Sequence, residues 1–116
     1  MKKKIRVLIA DDRIAARSGL KALLATELEI EMVAEAADCR QAMRLVEELR
    51  PDVVLMDGLE VPRIIKERWP QVKVIMLSMY RSYQAAALAA DADAFLVKGR
   101  PPEELFEAIR RFGSNS

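Results

Sequence analysis

The stretch Pro51-Asp52-Val53-Val54-Leu55-Met56-Asp57 decides the fold. Its apolar run is continuous, so a strand built from it has no face that suits water. Strands of that kind belong in parallel sheets covered by helices on both sides. Two other runs, Val7-Leu8-Ile9 and Val74-Ile75-Met76-Leu77, have the same character. Together with two weaker candidates they predict strands over Ile5–Ala10, Glu31–Glu35, Asp52–Asp57, Lys73–Leu77 and Ala94–Val97.

Helical spacing fills the intervals, and alternation of this kind signals βαβ units. After the first strand, Ile14, Leu20, Leu23 and Leu24 share one broad face, while Arg13, Arg17 and Lys21 recur every four residues on another. Arg40–Arg50 puts Met43, Val46 and Leu49 on one stripe, with Asp38 as candidate N-cap and Pro51 as the stop. Pro102–Phe112 opens with Pro102, Glu103 and Glu104 and closes with Arg110-Arg111, so both ends suit the helix dipole. Short right-handed crossovers then make a doubly wound α/β three-layer sandwich the expected packing.

A chain of 116 residues suits one core. With 52% hydrophobic and 32% charged residues it reads as a compact domain rather than a disordered segment. Nineteen basic against 18 acidic residues leave a net charge of +1, which argues against direct nucleic-acid binding. The basic start, Met1-Lys2-Lys3-Lys4, reads as a solvated lead into the first strand rather than a docking patch. No apolar run approaches the roughly 20 residues of a membrane span. Cys39 is the single cysteine, which points to a reducing cytoplasm. No histidine exists to activate it, so it is read as a helix residue without a chemical role.

In doubly wound sheets the ligand site lies beyond the carboxyl ends of the central strands. Asp11-Asp12 end the first strand, Asp57 the third, Ser78 the fourth and Lys98 the fifth. In a 2-1-3-4-5 order these groups converge on one edge. Three carboxylates so placed repel one another unless a cation joins them, and a hard divalent ion such as Mg²⁺ suits them. Asp57 could then attack a phosphoryl group as a carboxylate nucleophile, with positive charge spread over the phosphoryl oxygens. Each residue also has a plainer reading. Asp12 serves equally well as a helix cap, and Lys98 as a solvated strand end.

The motifs Ile5-Arg6-Val7-Leu8-Ile9-Ala10-Asp11-Asp12, Pro51 to Asp57, Val74-Ile75-Met76-Leu77-Ser78 and Ala94-Phe95-Leu96-Val97-Lys98 resemble a response-regulator receiver domain over essentially the whole chain. The resemblance implies a flavodoxin-like fold with strand order 2-1-3-4-5. It implies that Asp57 accepts a phosphoryl group from a histidine kinase or phosphotransfer protein, and that Asp11, Asp12 and Asp57 hold Mg²⁺, Asp11 mainly through water. Lys98 would contact the phosphoryl group. Ser78 and Phe95 would form a switch pair that alters the face made by the fourth helix, fifth strand and fifth helix, where an output domain or a protein partner docks; whether the chain forms a homodimer is left open. Val74–Tyr80 and the region 23–37 resemble receivers that precede a LuxR-type helix-turn-helix domain. Residues 1–112 would form the receiver and 113–116 a frayed tail or linker remnant, the chain being either a stand-alone regulator or an excised receiver.

One departure stands out. Family members carry a loop with a Met-Pro pair after the acceptor, whereas Gly58-Leu59-Glu60 follows Asp57 at once, about seven residues short and more than most loops contain. Pro62 suits a helix start, so Gly58–Val61 becomes the loop and a stunted third helix covers Pro62–Trp69. Leu59 would then supply the backbone carbonyl that completes the metal shell in relatives. Asp91 stands where relatives usually have Gly; if the backbone there is left-handed, Asp tolerates it at a cost of about 1 kcal/mol, as strain without loss of function. Three functions follow in order: a non-enzymatic phosphoacceptor switch, an interaction module that has lost efficient phosphorylation, and a hydrolase using Asp57 or Asp11.

Overall fold

A computed structural model describes residues 3–57 and 61–113. Five parallel strands, β1 (Ile5–Ala10), β2 (Ile30–Ala36), β3 (Val53–Met56), β4 (Lys73–Ser78) and β5 (Ala94–Val97), lie in the order β2-β1-β3-β4-β5. Helices α1 (Ile14–Leu24), α2 (Cys39–Leu49), α3 (Val61–Arg68), α4 (Gln84–Ala89) and α5 (Pro102–Gly113) make the crossovers, with a 3-10 turn over Arg81–Tyr83 leading into α4. The expected doubly wound sandwich is what forms.

Alternation along the strands builds two cores. Leu8, Val54, Met56, Val74 and Met76 pack with Val46 of α2, Ile65 of α3, Trp69 and Ala87 of α4. Val7, Ile9, Val53, Leu55, Ile75 and Leu77 pack on the opposite face with Leu24 of α1 and with Leu105, Phe106 and Ile109 of α5. Burying each large aliphatic side chain is worth about 1.5–3 kcal/mol, so the continuous apolar runs stabilise both layers at once. Val33 is the extra residue of a register shift between β1 and β2, where Val7 pairs with Met32 but Leu8 with Ala34.

Helix ends follow local chemistry. Asp38 caps α2 by accepting from the Gln41 N–H at 2.8 Å, and the Gln41 side chain accepts from the Ala37 N–H at 2.8 Å. Arg50 adopts a left-handed turn, φ 46°, ahead of Pro51 and stops the helix. Cys39 begins α2, one residue earlier than the spacing suggested.

Among the described residues the third helix is indeed short, with 8 residues. Within the described residues it begins at Val61, so Pro62 lies inside the helix rather than at its first position. Gly58, Leu59 and Glu60 lie outside the described residues, and with them the expected role of the Leu59 carbonyl. At the other end, α5 takes in Gly113, which is buried. Gly113 is therefore helix and not the first residue of a tail, and 114–116 lie outside the described residues. Asp91 has φ 71°, so the backbone there is left-handed and the condition for strain is met. No helix among the described residues is long and apolar enough to cross a membrane.

Candidate functional site at the carboxyl edge of the sheet

Main-chain bonds carry the ladder one step past the strands. The Asp11 N–H donates to Ala36 O, the Asp57 N–H to Ala10 O and the Lys98 N–H to Ser78 O, at 3.0, 3.1 and 2.7 Å. These bonds fix where the three side chains leave the sheet. All three then turn to one another.

Lys98 Nζ lies 3.2 Å from Asp11 Oδ2 and 3.1 Å from Asp57 Oδ2. Its side chain is only 17% exposed, so it is a lodged counter-ion and not a solvated strand end. Asp11 is deeper still, with its side chain 2% exposed, while Asp57 keeps 34% of its side chain open to solvent. Asp57 is thus reachable from outside and Asp11 is not.

Burial alone would push the Asp11 carboxyl upward. The Arg13 main-chain N–H, the Lys98 ammonium and the Arg13 guanidinium more than offset this, and together they hold Asp11 below the usual carboxylate range. It stays ionised beside Asp57.

Arg13 is the site residue that spacing misassigned. It was expected on a polar helix face with Arg17 and Lys21, but it precedes α1 in extended backbone and has no side-chain capping bond. Its N–H donates to Asp11 Oδ1 at 2.9 Å, and its Nη2 reaches Asp57 Oδ2 at 3.1 Å. The available signal was its position directly after the Asp-Asp pair, where the chain turns back over the sheet edge. Arg17 and Lys21 instead hold Glu35 at 3.1 and 3.2 Å, and Arg17 Nη1 also donates to Asp11 O at 2.6 Å.

Asp12 does not cap α1, whose N-cap is Arg13. It lines the same cleft as Asp11, Arg13, Asp57 and Ser78, and among the described residues it makes no ion pair. Ser78 is buried, and its Oγ accepts from the Tyr80 N–H at 3.1 Å, facing its own chain. Phe95 on β5 packs half-buried against the core that includes Ala87.

Whether the edge suits a divalent ion can be judged from its donors. Asp11, Asp12 and Asp57 offer hard anionic oxygens on one cleft, the ligand type that Mg²⁺ prefers. Among the described residues, however, no three ligating side chains stand close enough to enclose an ion as they are. Lys98 and Arg13 close the gap between Asp11 and Asp57 instead. The donor set fits in kind, and two protein cations against three carboxylates leave one negative charge uncompensated.

Residues 7–110 match the family model of the response regulator receiver domain. The chain is similar to the transcriptional regulatory protein DegU of Brevibacillus brevis, 39% identical over 92% of this chain and 49% of the relative. It is also similar to the response regulator protein VraR of Staphylococcus aureus, 34% identical over 92% of this chain and 56% of the relative. The chain therefore spans about half the length of the curated relatives it matches. Among solved structures, the signal receiver domain of the putative response regulator NarL from Mycobacterium tuberculosis superposes with a TM-score of 0.90 at 25% identity, covering 99% of this chain and 100% of that one. The response regulator domain of Thermotoga maritima CheB gives 0.87 at 28%, covering 98% and 99%.

Proposed function

Because the chain belongs to the response regulator receiver family, we propose that Asp57 is its phosphoacceptor and that the domain acts as a switch rather than an enzyme. The observation that carries the reading is the shared ammonium of Lys98, which holds the buried Asp11 and the open Asp57 on one cation. Receiver domains of response regulators interact with histidine kinases, and the absence of histidine from these 116 residues fits a phosphohistidine donor supplied in trans.

The chemistry runs from the residues outward. Asp57 Oδ2 carries both cations, and Oδ1 makes no hydrogen bond among the described residues. Oδ1 is then the oxygen that attacks phosphorus. An O–P bond forms, the donor's N–P bond breaks, and the donor imidazole leaves with the electron pair and takes up a proton. Lys98 follows the negative charge from the carboxylate to the phosphoryl oxygens. Receiver domains generally bind Mg²⁺; held by Asp11, Asp12 and Asp57, the ion would add Lewis-acid charge to the phosphoryl group.

Ser78 provides the readout. Its hydroxyl releases the Tyr80 N–H and donates to an acyl-phosphate oxygen, and Phe95 moves into the space behind it. The surface that changes is formed by α4, β5 and α5. It docks an output domain, a protein partner or a second copy. LuxR-type homologues carry DNA-binding output domains, and a domain of that kind is one partner this surface suits. No observation favours the reading in which the fold persists without phosphorylation.

Mass spectrometry after incubation with Mg²⁺ and acetyl phosphate tests this reading. The expected result is a gain of one phosphoryl group that is absent in Asp57→Asn. A folded protein that gains none would overturn it.

A further inference from the structure

Two cations meet at one oxygen of Asp57, and they are held very differently. Lys98 is 17% exposed and bridges two carboxylates, so withdrawing it would leave the buried Asp11 poorly compensated. Arg13 is 53% exposed, its Nη2 bonds Asp57 Oδ2 at 3.1 Å, and its Nε stands 3.6 Å from Asp11 Oδ1. Nothing else among the described residues holds its guanidinium. It can swing into water at little cost, since exposed ion pairs contribute little net stability.

We propose that Arg13 is a displaceable internal cation that competes with the divalent ion for the Asp57 carboxylate and so sets the metal affinity of the resting domain. The proposal rests on the phosphoacceptor reading only for the presence of a metal site. Lone pairs on Oδ2 shared with Lys98 and Arg13 are not available to an ion. A cation entering between Asp11 and Asp57 also meets a guanidinium that already spans them, and it must first move that group aside. Linkage makes the effect reciprocal, so occupancy by metal releases Arg13.

The geometry offers a clean comparison, because the bond from residue 13 that shapes the turn is main chain. The N–H of residue 13 donates to Asp11 Oδ1 whatever side chain follows it. Arg13→Ala and Arg13→Gln therefore remove the charge and keep the turn.

Calorimetric titration of the full chain with Mg²⁺ alone, at low ionic strength, tests the idea in the parent protein and both variants. Both should bind Mg²⁺ more tightly, by about threefold to tenfold, with the difference shrinking as salt is added. In the parent protein the Arg13 Nε–H resonance should shift as the metal site fills. Equal or weaker affinity in the two variants, or no Mg²⁺ binding in any of the three, would overturn the proposal. The outcome is independent of the phosphorylation test. Unchanged affinities with a normal mass gain at Asp57 would remove the role of Arg13 alone, and tighter binding without any mass gain would remove the phosphoacceptor reading alone.

Discussion

Lys98 and Asp57 stand 41 residues apart in the chain and meet at 3.1 Å, the ammonium on the carboxylate that faces solvent. Replacing Lys98 by Ala should keep the path of the chain at the sheet edge, since the bond from its N–H to Ser78 O is main chain, while the buried Asp11 loses a counter-ion and the domain some stability. Without the ammonium, charge developing on the phosphoryl oxygens loses a preorganised partner. Phosphorylation of Asp57 by acetyl phosphate should slow by about 100-fold. Time-resolved mass measurement under matched Mg²⁺ checks this, and a change of less than threefold would mean that Lys98 only neutralises Asp11.

Gly113 closes α5 against the first core strands. A Cβ at this position would lie 2.5 Å from Ile5 Cγ2 and 2.9 Å from Val53 Cγ2, both branched side chains in the core. Gly113→Ala should therefore destabilise the domain by about 1–3 kcal/mol, despite the better helix propensity of Ala. Urea denaturation reads the difference, and an unchanged midpoint would place the end of α5 away from β1 and β3.

Glu35 at the end of β2 gives the domain part of its acid sensitivity. The Arg17 bond first, and then the Lys21 bond, hold its carboxyl below the usual range. A group with a depressed folded pKa contributes stability that is fully present above its unfolded value of about 4.3 and is lost as pH falls through the lower folded value. Glu35→Gln should lower the urea midpoint at neutral pH and flatten its decline in the acid range. Parallel curves for the two proteins from neutral to acid pH would show that the Arg17 and Lys21 contacts carry no net charge coupling.

Which parts of this molecule could be read ahead of its structure follows from range. The strands were legible because runs such as Val53-Val54-Leu55-Met56 satisfy only one environment, and the cap at Asp38 because its bond is local. The convergence of Asp11, Asp57 and Lys98 was legible because each follows a strand end, and parallel strands bring those ends to one edge. The strand order itself needed the family resemblance. Arg13 was missed because periodicity treats it as the first turn of α1, whereas the Asp11 carboxylate, by taking its N–H, turns the chain and sends the guanidinium over the sheet edge. Glu35 was missed for a similar reason: its partners lie on α1, and no local pattern couples β2 to that helix.

The shortened α3 needs ties that its own length cannot supply, since helices of two turns are marginal without tertiary packing. Lys66 provides one set. Its ammonium donates to Pro70 O and Val72 O at 3.0 Å each and lies 3.1 Å from Asp93 Oδ2, with side chains 16% and 18% exposed. Asp93 Oδ2 in turn accepts from the Val74 N–H at 2.8 Å, so one cluster joins the end of α3, the entry to β4 and the turn before β5. Lys66→Met removes the donor and leaves two carbonyls and a half-buried carboxylate to find water, at a cost of about 2 kcal/mol. Asp93→Asn keeps an acceptor for Val74 but loses the charge, so combined with Lys66→Met it should cost less than the sum of the two, by about 1 kcal/mol. A double-mutant cycle in urea measures that coupling. Strict additivity would mean that the packing of Ile65 and Trp69 holds α3 in place and that the ion pair does not contribute.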